Sequence, residues 1–144
     1  MHKTGSIVSR VVSFGPDYEP TIREIRYAVF TLGQNIDARE DFDGSDADAV
    51  HALVSLDGVF VATGRMLADG HIGRLAVLEA YRARGLGSRL LEALIAEASR
   101  RQLKRVYLGA QRQAVGFYRK NGFSEYGEPF HEVGIEHIHM EKAI

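Results

Sequence analysis

At Gly85 the hydrophobic period of the chain changes from 2 to 3.6, and this break constrains the fold more than any other feature of the sequence. Downstream, Leu86, Leu90, Leu91, Leu94, Ile95 and Ala98 form one apolar stripe, with Arg89, Glu92, Glu97, Arg100 and Arg101 elsewhere around a helix. Upstream, the dipeptides Asp57-Gly58 and Asp69-Gly70 each separate β-compatible runs, the strongest short-range hairpin signal. They predict three antiparallel strands at about 50–56, 59–67 and 71–77. Beyond the helix, Gln102-Leu103-Lys104-Arg105 leads into Val106-Tyr107-Leu108. Strand, long helix and strand then make a crossover, so the strands at 71–77 and 106–110 should be parallel.

The flanking segments extend this frame. A first strand fits Ile7 to Phe14, and Gly15-Pro16 and Pro20 mark a turn. Ile22, Ile25, Arg26, Val29 and Phe30 recur at helical spacing as far as Gly33. The acidic stretch 37–48 reads as a loop with at most one turn of helix. A second helix spans about Gln113 to Asn121 and stops at Gly122; Phe123–Tyr126 and Glu136–Glu141 read as strands separated by a loop containing Pro129 and Gly134. At 144 residues one core suffices, since folding at this size removes roughly 70% of the accessible surface from water. The expectation is a single α/β domain over residues 1–144, with a largely antiparallel sheet of six or seven strands and helices on both faces.

Composition narrows the function. No apolar run reaches the length of a membrane span, and Met1-His2-Lys3-Thr4-Gly5-Ser6 lacks the pattern of a secretory signal, so a cytoplasmic protein with no membrane partner is expected. The absence of cysteine removes disulfides, thiolate metal sites and cysteine nucleophiles together. A formal charge of −1 provides no broad cationic surface, which argues against nucleic acid as a partner.

The turn Arg82-Ala83-Arg84-Gly85-Leu86-Gly87-Ser88 carries the chemistry. It opens the long helix directly after a strand, so unpaired backbone N–H groups and the positive end of the helix dipole converge on one spot suited to an anion. Glycine at 85 and 87 keeps side chains away from a diphosphate. A P-loop would need Gly-Lys-Ser/Thr where Gly87-Ser88-Arg89 stands, and a dinucleotide fingerprint would need a third glycine where Leu90 stands.

Arg82-x-x-Gly85-x-Gly87 resembles the pyrophosphate loop of the GNAT acetyltransferases. Gln111-x-x-Ala114-x-x-Phe117-Tyr118-x-Lys120-x-Gly122-Phe123 looks like the second motif of that family, with Gln111 standing where Asn is usual. Ala110-Gln111, Val29-Phe30-x-x-x-Gln34 and Gly134-Ile135-x-His137-x-x-Met140 are similar to its ElaA-like branch, whose pattern prefers Glu where Gly33 stands. The resemblance implies transfer of an acetyl group from acetyl-CoA to a primary amine of a small molecule or peptide, in a ternary complex and without a metal. It implies a strongly curved sheet whose central parallel strands, 71–77 and 106–110, splay to admit the CoA arm, eased apart by Gly109, with Leu75, Ala76 and Val77 pairing with the pantetheine arm and the Val77 amide facing the acetyl oxygen. It further implies that Arg82, Ala83, Arg84, Gly85, Leu86, Gly87 and Ser88 hold the pyrophosphate, that Gln111, Ala114 and Phe117 line the CoA arm, that Lys120 either contacts the nucleotide phosphates or ends the helix in solvent, and that Tyr118 is the general acid toward sulfur. An acyl-CoA-binding sensor without turnover is the alternative, and assembly as a homodimer stays open.

Two further readings come from the residues themselves. His137 and His139 share a strand face, but no nearby carboxylate completes a metal set, so they read as sheet-surface or substrate-site residues. If both Asp-Gly hairpins close with two-residue turns, Arg65 lies opposite Arg74, and like charges so placed call for an anion between them. That anion would be Asp41, Asp43 or Asp46, or an acidic acceptor bound by Arg65 and Arg74. The same register places His51 beside Gly64, on the other side of the sheet from the arginines. The acidic loop could also supply a general base.

Overall fold

Alternation along the strands gives the first sheet two buried faces, and this determines where the helices lie. In the computed structural model, which describes residues 6–144, strands β1 (Ile7–Ser13), β2 (Val50–Leu56), β3 (Val59–Met66) and β4 (Ile72–Val77) form an antiparallel sheet in that order. The reading of residues 1–5 as free of a secretory signal lies outside the described residues. Successive side chains of a strand face opposite ways. Ala52 and Val54 of β2 therefore enter the main core, while Leu53 between them joins Ile22, Ile25, Val29, Phe30 and Ala76 on the other face.

Helix α1 (Glu19–Arg26) covers that second face and runs on into a wider π-helical turn at Tyr27–Leu32. Its apolar spacing is as the sequence predicts. The acidic stretch contains one turn of helix, α2 (Ala38–Asp41), opened by the Asp37 carboxylate accepting from the Arg39 amide at 2.8 Å. Helix α3 (Leu86–Arg100) lies on the main core, burying Leu86, Leu90, Leu91, Leu94 and Ala98 along the predicted stripe.

Strands β5 (Arg105–Gln111), β6 (Ser124–Glu125), β7 (Phe130–Glu132) and β8 (Ile135–Ala143) build the second sheet, with β8 pairing antiparallel to the other three. Strand β7 lies where the sequence suggests a loop. It closes onto β8 through Val133-Gly134, both at positive φ, with Glu132 opposite Ile135. Helix α4 (Val115–Lys120), preceded by one 3₁₀ turn at Arg112–Ala114, connects β5 to this hairpin region.

The two sheets meet at a parallel bridge between His71 and Tyr107, where the Tyr107 amide donates to the Gly70 carbonyl at 3.1 Å. The bridge is parallel, as the crossover predicts, and past it no ladder joins β4 to β5, so the pair splays as the resemblance implies. Gly109 serves another purpose than easing the splay: a Cβ there would stand 2.7 Å from Phe130 Cζ, so glycine admits that ring onto β5.

The register differs from two uniform two-residue hairpins in an instructive way. Asp57 and Gly58 do form a two-residue turn with positive φ at both positions, but a bulge at Val54/Ser55 shifts the rest of the ladder. His51 therefore opposes Arg65, not Gly64, and the two share a face. The second turn holds three residues, Ala68-Asp69-Gly70, closed by Leu67 donating to the His71 carbonyl. Arg65 then opposes Gly73, and a bulge puts Arg74 at φ 54 before Thr63 meets Ala76. The extra residue in the turn and the extra residue in the bulge cancel, so the ladder beyond the bulge returns to the expected pairing.

Candidate active site

The splay between β4 and β5 opens a cavity of about 520 Å³. Leu75, Gln111, Ala114 and Tyr118 line it, as do Arg65 and Arg74 from the other end. His137 and His139 line it too, while the remaining residues implied to hold CoA lie outside it. Ala76 is buried under α1, Val77 ends β4, and residues 82–88 form the approach to α3. Phe117 packs against α3, and Lys120 is exposed at the end of α4.

Backbone geometry explains the edge of β4. The Leu78 amide donates to the Val61 carbonyl at 2.9 Å, which places that amide toward β3. Successive amides of a strand alternate sides, so the Val77 N–H faces away from β3, toward the splay. The Val77 carbonyl accepts from Arg82 Nε at 3.1 Å, which ties the loop to the end of the strand.

Loop 82–88 winds back on itself. Ala83 has φ 63 and Gly85 φ 77, and Gly85 is the N-cap of α3 with no side chain capping the first amides. Space beside Gly85 is open, as access to a diphosphate requires. Gly87 departs from expectation, because a Cβ there would meet Phe117 Cζ at 2.9 Å. Its glycine is required by the contact between α3 and α4, which couples the two motifs physically.

Tyr118 packs edge-on against Phe117 and Phe123, at ring separations of 5.0 and 5.8 Å. Burial pushes its phenol up to about 12, so the hydroxyl keeps its proton at any physiological pH. Gln111 donates to Gln34 Oε1 at 2.8 Å and accepts from Gln113 at 2.6 Å, so the second motif is linked to the turn following α1.

Opposite Tyr118 lies a closed ring of alternating charges. Arg26 meets Asp46 at 2.6 Å, Asp46 meets Arg65 at 3.2 Å, Arg65 meets Asp43 at 2.9 Å, Asp43 meets Arg74 at 3.2 Å, Arg74 meets Asp41 at 3.1 Å, and Asp41 returns to Arg26 at 3.2 Å. Three arginines and three aspartates thus cancel, and the anion anticipated between Arg65 and Arg74 is the protein's own Asp43. With both guanidiniums so engaged, an acidic acceptor is not needed to relieve their repulsion. His51 accompanies the ring, its Nε2 3.0 Å from the Asp46 carbonyl, and burial lowers its pKa.

Arg26 was legible only as a member of the α1 stripe. It is 1% exposed and carries the Phe42 ring 4.3 Å from its guanidinium carbon. A charged residue inside an apolar stripe was the available signal, since a buried charge must be paired.

Burial alone would raise the Asp43 and Asp46 carboxyls. For Asp43, hydrogen bonds from Arg65 and the Ser45 amide with the charges of Arg65 and Arg74 outweigh it; for Asp46, Arg26 and Arg65 do so. Both carboxyls are held below the ordinary range, which makes them poor general bases. A depressed folded-state pKa contributes stability above the unfolded value, near 4, and that stability is lost as pH falls through the folded value. Acidification below about pH 4 is therefore expected to lower the urea midpoint of the wild type steeply. Asp43→Asn should lower the midpoint at pH 7 and flatten the acid limb, measured by urea titrations across that range.

Comparison with known proteins places this geometry. The profile of the acetyltransferase (GNAT) domain matches residues 25–144. The chain belongs to the GNAT acetyltransferase family. Within it, the chain is similar to protein ElaA of Escherichia coli, 34% identical over 130 residues that cover 84% of each chain. The crystal structure of E. coli ElaA superposes with a TM-score of 0.84 at 30% identity, covering 95% of this chain and 99% of that one. An acyl-CoA N-acyltransferase from Pseudomonas aeruginosa superposes with a TM-score of 0.83 at 29% identity, covering 96% of this chain and all of that one. The ElaA-like resemblance and the α/β fold expected from the sequence both hold. Among the described residues no group of His, Asp and Glu side chains is arranged to hold a metal, and no helix is long and apolar enough to cross a membrane.

Proposed function

We propose that this acetyltransferase carries an acetyl group from acetyl-CoA directly to a primary amine of a small molecule or peptide within a ternary complex. The observation that carries the reading is the splay of β4 from β5, which opens the 520 Å³ cavity beside Tyr118 and leaves the Val77 amide on its open side. The pantetheine arm would lie along Leu75, Ala76 and Val77 and pass Gln111, Ala114 and Phe117. The pyrophosphate would rest on the amides of 82–88, with Arg84 and Lys120 near its charge. A thioester is already activated, so the required groups are few. The Val77 N–H would polarise the acetyl oxygen, and Tyr118 would protonate the departing sulfur. A cytoplasmic setting goes with acetyl-CoA as donor. The aromatic floor of Tyr107, Tyr126 and Phe130 suits an acceptor with an apolar body. Thiol release from acetyl-CoA, followed across polyamines, amino acids, aminoglycosides and peptides, tests the proposal. Turnover with any class supports it; CoA binding with no turnover on any of them favours the sensor instead.

A further inference from the structure

We infer that His137 is the base that takes the proton from the acceptor ammonium, an inference that rests on the transferase reading above. Its side chain is 8% exposed, yet it lines the same cavity as Tyr118 and Gln111. Its Nδ1 lies 2.8 Å from the Ile135 carbonyl, an oxygen that can only accept, so in the neutral ring Nδ1 carries the hydrogen and Nε2 keeps its lone pair. No hydrogen bond to Nε2 is found among the described residues. Glu132 Oε2 stands 3.9 Å from it, too far to occupy the lone pair.

The β7–β8 hairpin builds this arrangement. It sets Glu132 opposite Ile135 and Phe130 opposite His137, while β5 sets Gln111 opposite His137 on the other side. The Phe130 ring stacks on His137 at 5.4 Å and on His139 at 4.2 Å, which holds the imidazole in place. Charged and titratable groups near it are Glu132 and His131 from β7, Glu136 and His139 along β8, and Arg112 beyond β5, which pairs with Glu136 at 2.5 Å. Across the cavity stand His71 and Tyr107. Asp41, Asp43 and Asp46 are weaker sources for the base, since they are committed to the charge ring.

The protons balance. One proton passes from the ammonium nitrogen to His137 Nε2 and on to solvent. The freed lone pair attacks the thioester carbon, the C–N bond forms and the C–S bond breaks. The second proton, released from nitrogen, offsets the one that Tyr118 gives to sulfur. The products are the amide, free CoA thiol and one proton.

Two probe acceptors separate this role from packing. Cadaverine is an ammonium at neutral pH and needs a base, whereas hydroxylamine is already unprotonated. His137→Gln is expected to lower kcat/KM for cadaverine by about 100-fold or more at pH 7 and to change it roughly twofold or less for hydroxylamine. The cadaverine rate of the variant should recover as pH rises and free amine accumulates, and added imidazole should restore it in His137→Gly. CoA should raise the melting temperature of wild type and variants alike. Equal losses with both amines would assign His137 to packing and overturn the inference, as would a cadaverine-specific loss in His71→Gln with His137→Gln unaffected. Should cadaverine not be turned over, the ammonium acceptor that is turned over in the panel above takes its place; wild type that binds CoA but acetylates no member of that panel would defeat the transferase reading, and the inference with it.

Discussion

Replacing Tyr118 by Phe is expected to cut kcat by about 100-fold to 10,000-fold, the usual worth of a positioned proton donor. Affinity for acetyl-CoA should change little, because a phenol in the proposed role is needed only when negative charge develops on sulfur in the transition state. The ring itself supports this separation. Its edge-on contacts with Phe117 and Phe123 involve carbon atoms that Phe retains, so the variant keeps its packing. Burial pushes the phenol up to about 12, so loss of the proton by ionisation should not appear in the rate profile between pH 6 and 9, about the range accessible to assay. Steady-state kinetics with a measured dissociation constant for CoA settles the matter. Turnover equal to wild type at every pH would remove Tyr118 as the acid.

Arg26→Ala should produce the largest loss of stability of any single substitution in the charge ring. Arg26 makes hydrogen bonds to both oxygens of Asp41, to its carbonyl and to Asp46, all buried. Removing Arg26 from this buried network leaves two carboxylates each short of one of their two cations, at a cost of up to about 3–5 kcal/mol. For a chain of this size that corresponds to a fall in melting temperature of roughly 10 °C. Arg26→Lys should recover only part of it, since an ammonium cannot reproduce the planar fork that addresses Asp41 and Asp46 together. Asp41 and Asp46 remain paired with Arg74 and Arg65, so the damage should centre on the attachment of α1 to the acidic loop. Calorimetric melting of the three proteins checks the order. A melting temperature for Arg26→Ala within a degree or so of wild type would mean the ring contributes nothing net.

How much of this was legible in the sequence varies by feature. Helix α3 and the strands around it could be read because a stripe of Leu at 3.6 spacing following a period of 2 admits no other assignment. The Asp57-Gly58 turn was legible for a similar reason: positive φ at two adjacent positions needs residues of that kind. The bulges were not legible. An extra residue at Arg74 leaves the alternation on either side intact, and a non-glycine residue at φ 54 carries no marker in the sequence. The bulge at Val54/Ser55 is what misplaced His51 relative to Arg65. The charge requirement survived the slip: two arginines held close had to share an anion, and Asp43 was among the candidates. Strand β7, three residues long, fell below what periodicity can detect. Its absence from the sequence reading hid the approach of Glu132 to His137, which depends on the Val133-Gly134 turn.

Gly87 teaches the converse. Its place in the motif was legible, but the reason for glycine there was not, because the neighbour that requires it, Phe117, lies thirty residues on in the chain. One substitution at Gly85 is cleaner for testing the loop. Asn tolerates the left-handed backbone at φ 77, finds open space beside it, and sets a side chain over the first amides of α3.

Thermal melting with and without CoA tests the central claim that this chain holds an acyl-CoA on the 82–88 loop. A ligand present at about 100 times its dissociation constant stabilises the folded state by about 2.7 kcal/mol. The melting temperature of the wild type should therefore rise by roughly 5–10 °C at saturating CoA. Gly85→Asn should melt near the wild type without CoA and lose most of the rise with it. An unchanged melting temperature for the wild type in about 1 mM CoA would contradict the account.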